Sequence, residues 1–314
     1  MAEQHNSSRL SRADTVVIAA IGLLLILLVP VLFAKPREQT MRTLCAANLA
    51  QIGKAMFIYA GDNESVLPRA GGPTTIWGPT QNWIAADRRV AFGMAIDNNG
   101  GSASISASFY LLVKYLGVPP SLFVCKADRG TTGFKLSDAL LPWHLELANL
   151  WDFGPPSEAM KHCSYTYHIP YGLFGLTTSR DPNLAVAADR SPWIMSPAAA
   201  PTVWPTFLPD ISPYSEPGKH GSCVECARRG NSVTHGRDGQ NVLFLDGRVR
   251  FEKRAYCGVD RDNIYTISTD PTGRGHVYGY PPTPGAVCLP ANKADSLLVH
   301  DPDAFPPGAQ RPSR

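Results

Sequence analysis

The chain has 314 residues, with 29 Lys and Arg against 26 Asp and Glu for a formal charge of +3, and its basic residues form no run of four or more. That balance excludes a nucleic-acid groove or an anion funnel built on bulk charge, and no nucleic-acid partner is expected. The length allows a sizeable core in one or two domains, and no repeat of roughly 20 to 50 residues recurs.

Residues 15–34, TVVIAAIGLLLILLVPVLFA, carry no charge between Asp14 and Lys35. As a helix they rise about 30 Å, the thickness of a hydrocarbon core, which predicts a transmembrane segment with the membrane as a partner. Pro30 is compatible with this, since neighbouring groups in a bilayer can satisfy the freed carbonyl. The alternative is a secretory signal cleaved after Ala34; the length of the run, Leu32 three residues back from the cut and Lys35-Pro36 beyond it argue against that reading. Positive charges on both sides (Arg9 and Arg12; Lys35, Arg37 and Arg42) leave the orientation open. Cysteine usage decides it: Cys125, Cys163, Cys223, Cys226, Cys257 and Cys288 fall at strand ends or in Gly/Pro-rich loops, as suits an oxidising compartment. The expected arrangement is a single pass through a cytoplasmic (inner) membrane. Residues 1–14 form a cytoplasmic tail and the head lies outside the cytoplasm.

Beyond the run, Cys45, Leu49, Ile52, Met56 and Tyr59 recur at spacings of four, three, four and three, one apolar stripe on a helix over 38–60 that Gly61-Asp62-Asn63 ends. Residues 15–60 thus read as one helix, with a lipid half and a packed half. A second helix is predicted over 106–116, stopped by Gly117, and strands over 121–125, 164–169, 184–187 and 264–268. In NVLFLDGRVRFE, residues 241–252, Asp246-Gly247 predicts a two-residue hairpin turn that puts Val242, Phe244, Val249 and Phe251 on one buried face. Pro197, Pro201, Pro205, Pro209, Pro213 and Pro217 exclude regular structure over 192–218, where Trp193, Trp204, Phe207 and Tyr214 are expected to pack the arm onto its own head. Residues 290–314 read as a disordered tail. The fold class is therefore α+β: a long N-terminal helix, transmembrane then amphipathic, on an antiparallel sheet with long Pro-rich loops.

An odd count of seven cysteines leaves at least one thiol free or paired with another chain. Cys45 lies on the packed helix face and Cys125 ends an apolar strand that must cover it, so a Cys45–Cys125 disulfide is expected, with Cys163 the competing partner. His235, Asp238 and Asp246, joined by Asp189, offer an oxygen-and-imidazole site for calcium or another divalent cation. The plainer reading gives Asp246 to its turn and His235 to a loop that hydrogen-bonds it. Cys223 and Cys226, flanked by His220 and His235, are ligand types zinc uses, or else disulfide partners. No nucleophile elbow, metalloprotease helix, phosphate loop or dinucleotide fingerprint occurs, so no catalytic residue and no further cofactor is assigned and the chain is read as a non-enzyme.

The order of charged tail, apolar run with Gly22 and Pro30 eight apart, CAANLAQIGKAMFIYAGDNESVLP, FVCKAD, SYTYHIPYG, AVAADRSP and NSVTHGRDGQNVLFLDGRVRF resembles bacterial type IV pilin-like (pseudopilin-like) proteins, specifically the prepilin-type processing-associated H-x9-DG family, over about residues 12–270. The resemblance implies a pilin-like head over 35–289. It also implies a structural subunit or accessory of a secretion or pilus-type envelope assembly, associating with itself or with other pilin-like subunits through the N-terminal helix. A monomeric anchored module that binds a glycan, protein or cation is the alternative. Aligned on Gly22 and Pro30, Ser8, Arg9 and Ala13 stand where the family has the glycine before the prepilin cut, the first mature aromatic and a glutamate, so the mature chain is expected to keep its tail. Ten residues, not nine, separate His235 from Asp246.

Overall fold

A computed structural model describes residues 11–139, 141–194, 228–277, 279–285 and 288–306, and of residues 26–37 the helical backbone alone. The chain divides into two compact units, residues 1–41 and 42–314. Helix α1 (Arg12–Gly61) begins in the first and ends in the second. Its start is fixed by a reciprocal cap, in which Ser11 N–H donates to Asp14 Oδ2 (2.9 Å) and Asp14 N–H donates to Ser11 Oγ (3.2 Å).

The membrane expectation is corrected here. Among the described residues, no helix is long and apolar enough to cross a membrane. The transmembrane segment over 15–34, the pilin-like fold built on it and the single-pass inner-membrane location are accordingly not retained.

In the second unit the helical stripe does what its spacing dictates: Cys45, Leu49, Ile52, Met56 and Tyr59 are all buried. They cover one face of an antiparallel sheet of five strands, β3 (Tyr165–His168), β4 (Ala185–Asp189), β5 (Gln240–Phe244), β6 (Val249–Glu252) and β9 (Leu298–Val299), in the order β6-β5-β4-β3-β9. Gly53 lets helix and sheet approach, because a Cβ there would stand 2.8 Å from Leu243 Cδ1. The opposite face is covered too. Ala185, Ala188, Val242, Phe244 and Leu298 pack with Trp193, Ile264 and Tyr265, so every residue of β4 and β5 is buried.

Helix α3 (Ile105–Leu116) lies in the same core as α1, and its two stops are those its sequence supplies. Ser104 Oγ accepts from Ala107 N–H at 3.0 Å, and Gly117 closes the C-terminus at φ 66°. Asp301, far along the chain, completes the N-cap by accepting from the Ile105 and Ser106 amides, both at 2.8 Å. Smaller elements flank these: β1 (Ile76–Trp77) paired with β2 (Ser102–Ala103), α2 (Arg88–Phe92), and β7 (Ile267–Ser268) paired with β8 (Gly279–Tyr280).

Three local expectations change. Residues 121–125 form no strand: Pro119-Pro120 favour a short helical turn, Pro120–Phe123, and of 264–268 only the last two residues pair. The hairpin register slips by one, pairing Val242 with Arg250 and Leu243 with Val249: Phe244 N–H donates to the Arg248 carbonyl at 3.0 Å, which leaves three residues, Leu245, Asp246 and Gly247, in the turn, the last at φ 84°. Val242 and Phe244 therefore face one core, Leu243 and Val249 the other. The stretch read as a disordered tail supplies β9, whose Leu298 and Val299 are fully buried, and Asp301; residues 307–314 lie outside the described residues, as does most of the proline arm.

Candidate functional site

The polar centre of the head is assembled from four separate segments. The buried face of α1 presents Cys45, and the turn over Pro120–Phe123 delivers Cys125 against it, with Asn48 Nδ2 donating to the Val124 carbonyl at 3.2 Å. The two cysteines form a disulfide with Cα atoms 5.3 Å apart, well inside the range such a bond spans. Asp189 is the last residue of β4. His235 comes from the loop before β5, in which Asn231 Nδ2 donates to the carbonyls of Arg237 (3.2 Å) within the loop and of Lys253 (2.7 Å) just after β6.

His235 Nε2 faces the Cys125 sulfur at 3.9 Å, Asp189 Oδ2 at 3.5 Å and Asn241 Nδ2 at 3.4 Å, while the edge of Phe251 closes over its ring. Asp189 Oδ2 also accepts from the Asn241 backbone (2.7 Å) and side-chain (3.2 Å) N–H groups, whereas its Oδ1 is buried without a hydrogen-bond partner among the described residues. Burial pushes the Asp189 carboxyl up to about 6, opposed first by the neighbouring His235 and then by the Asn241 hydrogen bonds. One ligand-capable atom from each of Cys45, Cys125, Asp189 and His235 lies within 4.8 Å of all the others, and all four residues are buried.

Of the four residues read from sequence as a cation site, the structure brings together two. Asp238 is exposed and pairs with Arg42 at 2.8 Å and Arg228 at 3.5 Å. Asp246 serves its turn: Oδ1 accepts from Arg248 N–H at 3.0 Å and Oδ2 pairs with the Arg248 guanidinium. What sequence reasoning missed is that the disulfide and the histidine share one site, and that Asn241 holds the carboxylate between them. The available signal was that Cys125, Asp189 and His235 each sit within one of the short motifs quoted above.

The remaining cysteines lie elsewhere. Among the described residues, Cys163, Cys257 and Cys288 are free thiols whose pKa burial raises, to about 12 for Cys163 and Cys288, so none is a poised nucleophile. Cys223 and Cys226, with His220, lie outside the described residues. A second buried polar group stands at the start of α3, where Asp152 Oδ2 accepts from Thr80 Oγ1 (2.9 Å) and from Ser104 Oγ. Burial, then the charge of Asp301, raises the Asp152 pKa to about 7. The Arg190 guanidinium pairs with Asp128 (2.6 Å) and donates to Thr131 Oγ1 and the Met160 carbonyl, both at 2.9 Å, tying β4 to the segment before β3.

Comparison of the chain with family models, with curated proteins and with solved structures finds no match.

Proposed function

We propose that the chain is a structural, non-catalytic subunit of a secretion or pilus-type assembly, as its resemblance to the H-x9-DG pilin-like family implies, and that it self-associates through the apolar segment of α1. One observation carries this reading. Val16, Val17, Ile18, Ile21, Leu23, Leu24 and Leu25 form successive turns of one helix, each residue 51 to 68 % exposed, while the helix residues of the second unit bury their apolar stripe within their own head. Contiguous apolar surface on this scale costs about 25 cal/mol for each Å² left in water, and lateral packing of like helices removes it. Ala19, Ala20 and Gly22 interrupt the large residues and allow a second helix to come close.

The test is photocrosslinking of the full chain carrying a benzophenone amino acid in place of Ile21. A ladder of self-crosslinked species supports the proposal. Crosslinks confined to single chains at assembly concentrations overturn it.

A further inference from the structure

We propose that Cys45, Cys125, Asp189 and His235 form a zinc site when the Cys45–Cys125 disulfide is reduced, so that the same four segments are held either by a covalent bond or by a metal ion. Two thiolates, one imidazole nitrogen and one carboxylate oxygen make a borderline-soft set of four, the number a closed tetrahedral zinc centre takes. Zinc bonds of about 2.0 to 2.3 Å place tetrahedral ligand atoms roughly 3.3 to 3.8 Å apart. The four atoms already lie within 4.8 Å of one another, so an inward shift of about an ångström, with the sulfur atoms separating, completes the geometry.

The surroundings favour an ion at this point. Asp189 Oδ2, held by the two N–H groups of Asn241, lies 3.5 Å from His235 Nε2, and Oδ1 of the same carboxylate is buried with no hydrogen-bond partner among the described residues. A carboxylate oriented by such neighbours is a preorganised metal ligand, whereas the same oxygen without an ion is a buried acceptor left unsatisfied. The four residues come from α1, the turn after α3, the end of β4 and the loop before β5, so metal binding would hold together the segments that the disulfide now holds.

The exchange balances. A phosphine reductant supplies two electrons and leaves as its oxide, taking its oxygen from water, whose two protons complete the two cysteine thiols. Zinc then displaces the two thiol protons to solvent as both Zn–S bonds form. No other oxidant or reductant is needed.

The experiment uses the full chain with Cys223→Ser and Cys226→Ser, which removes the competing thiols of that pair, and zinc(II) as the probe. Oxidised and phosphine-reduced samples are titrated with zinc, without oxygen, against a chromophoric chelator. The expected result is one zinc per reduced chain and none per oxidised chain, with His235→Ala and Asp189→Asn each weakening binding by at least about tenfold. Should those variants fail to fold, cobalt(II) in the reduced parent chain decides. Thiolate-to-cobalt charge transfer with intense tetrahedral d–d bands supports the site, and their absence overturns it. Equal uptake by the oxidised chain, no uptake after reduction, or unchanged affinity in folded His235→Ala also overturns it.

Discussion

The Cys125 sulfur and His235 Nε2 stand 3.9 Å apart although they lie 110 positions apart in the chain. That contact joins the covalent link between α1 and the turn after α3 to the loop that precedes the central strand β5. Around it, a helix face, a sheet face and two loops become one core.

The first consequence concerns stability. The Cys45–Cys125 bond closes a sequence separation of 80, for which loop entropy alone gives about 4 to 5 kcal/mol. In metal-free buffer, Cys45→Ser with Cys125→Ser is expected to lower the unfolding free energy by roughly that amount, measured by denaturant titration. A loss under about 1 kcal/mol would mean that the surrounding core holds the four segments without the bond.

The hairpin separates turn chemistry from ion binding. Gly247 occupies φ 84°, where a β-branched side chain is strained, so Gly247→Val is expected to cost about 1 to 3 kcal/mol. Asp246→Asn keeps the acceptor for Arg248 N–H and loses only a partly exposed ion pair, which places its cost below about 1 kcal/mol. Thermal melts with added calcium and with a chelator check both values. A calcium-dependent rise in melting temperature that Asp246→Asn abolishes would return Asp246 to a cation site.

Gly53 lets α1 approach the sheet at Leu243. Gly53→Val would drive two methyl groups toward Leu243, whose Cδ1 is already 2.8 Å from where a Cβ would stand, and is expected to cost about 1 to 3 kcal/mol despite removing a helix glycine. Pairing it with Leu243→Ala should recover part of the loss. A double variant no better than the sum of the single ones would show that the two residues do not meet.

Asp152 and His168 give opposite slopes with pH. Asp152 ordinarily loses its proton near 3.8 but in the fold near 7, because burial and then the Asp301 charge oppose ionisation. Between those values the folded chain holds the extra proton, so this group's contribution to stability falls as pH rises from about 4 to 7, by up to about 4 kcal/mol. Burial lowers His168 from 6.5 to about 4, so its contribution falls as pH drops through that window. The melting temperature of Asp152→Asn, relative to the parent, is therefore expected to climb steadily from pH 4 to pH 7. A difference independent of pH would contradict the assignment.

Local signals were the legible part of this sequence. The stripe from Cys45 to Tyr59, the Ser104 and Gly117 stops and the strand at 165–168 follow from periodicity and capping, which depend on residues a few places apart. The hairpin was legible to within one residue: Asp-Gly marks a turn, but the added Leu245 in the loop decides which face each side chain takes. The site was half legible. His235 and Asp189 announce themselves as ligand types, yet their meeting with a disulfide depends on β4, β5 and α1 packing together, which no local pattern encodes. Strand β9 was hidden for the same reason: Leu297, Leu298 and Val299 are a brief apolar run inside a polar, proline-bearing stretch, and only the open edge of β3 makes them a strand.

The central claim is that the exposed apolar segment of α1 exists to pack against other copies, and negative-stain electron microscopy of the purified full-length chain tests it most directly. The account predicts filaments or laterally associated oligomers for the parent chain and single particles when Ile21→Asp and Leu24→Asp are introduced together, with the head's melting temperature unchanged. Uniform single particles of the parent chain, at the concentrations where the double variant also gives single particles, would contradict it.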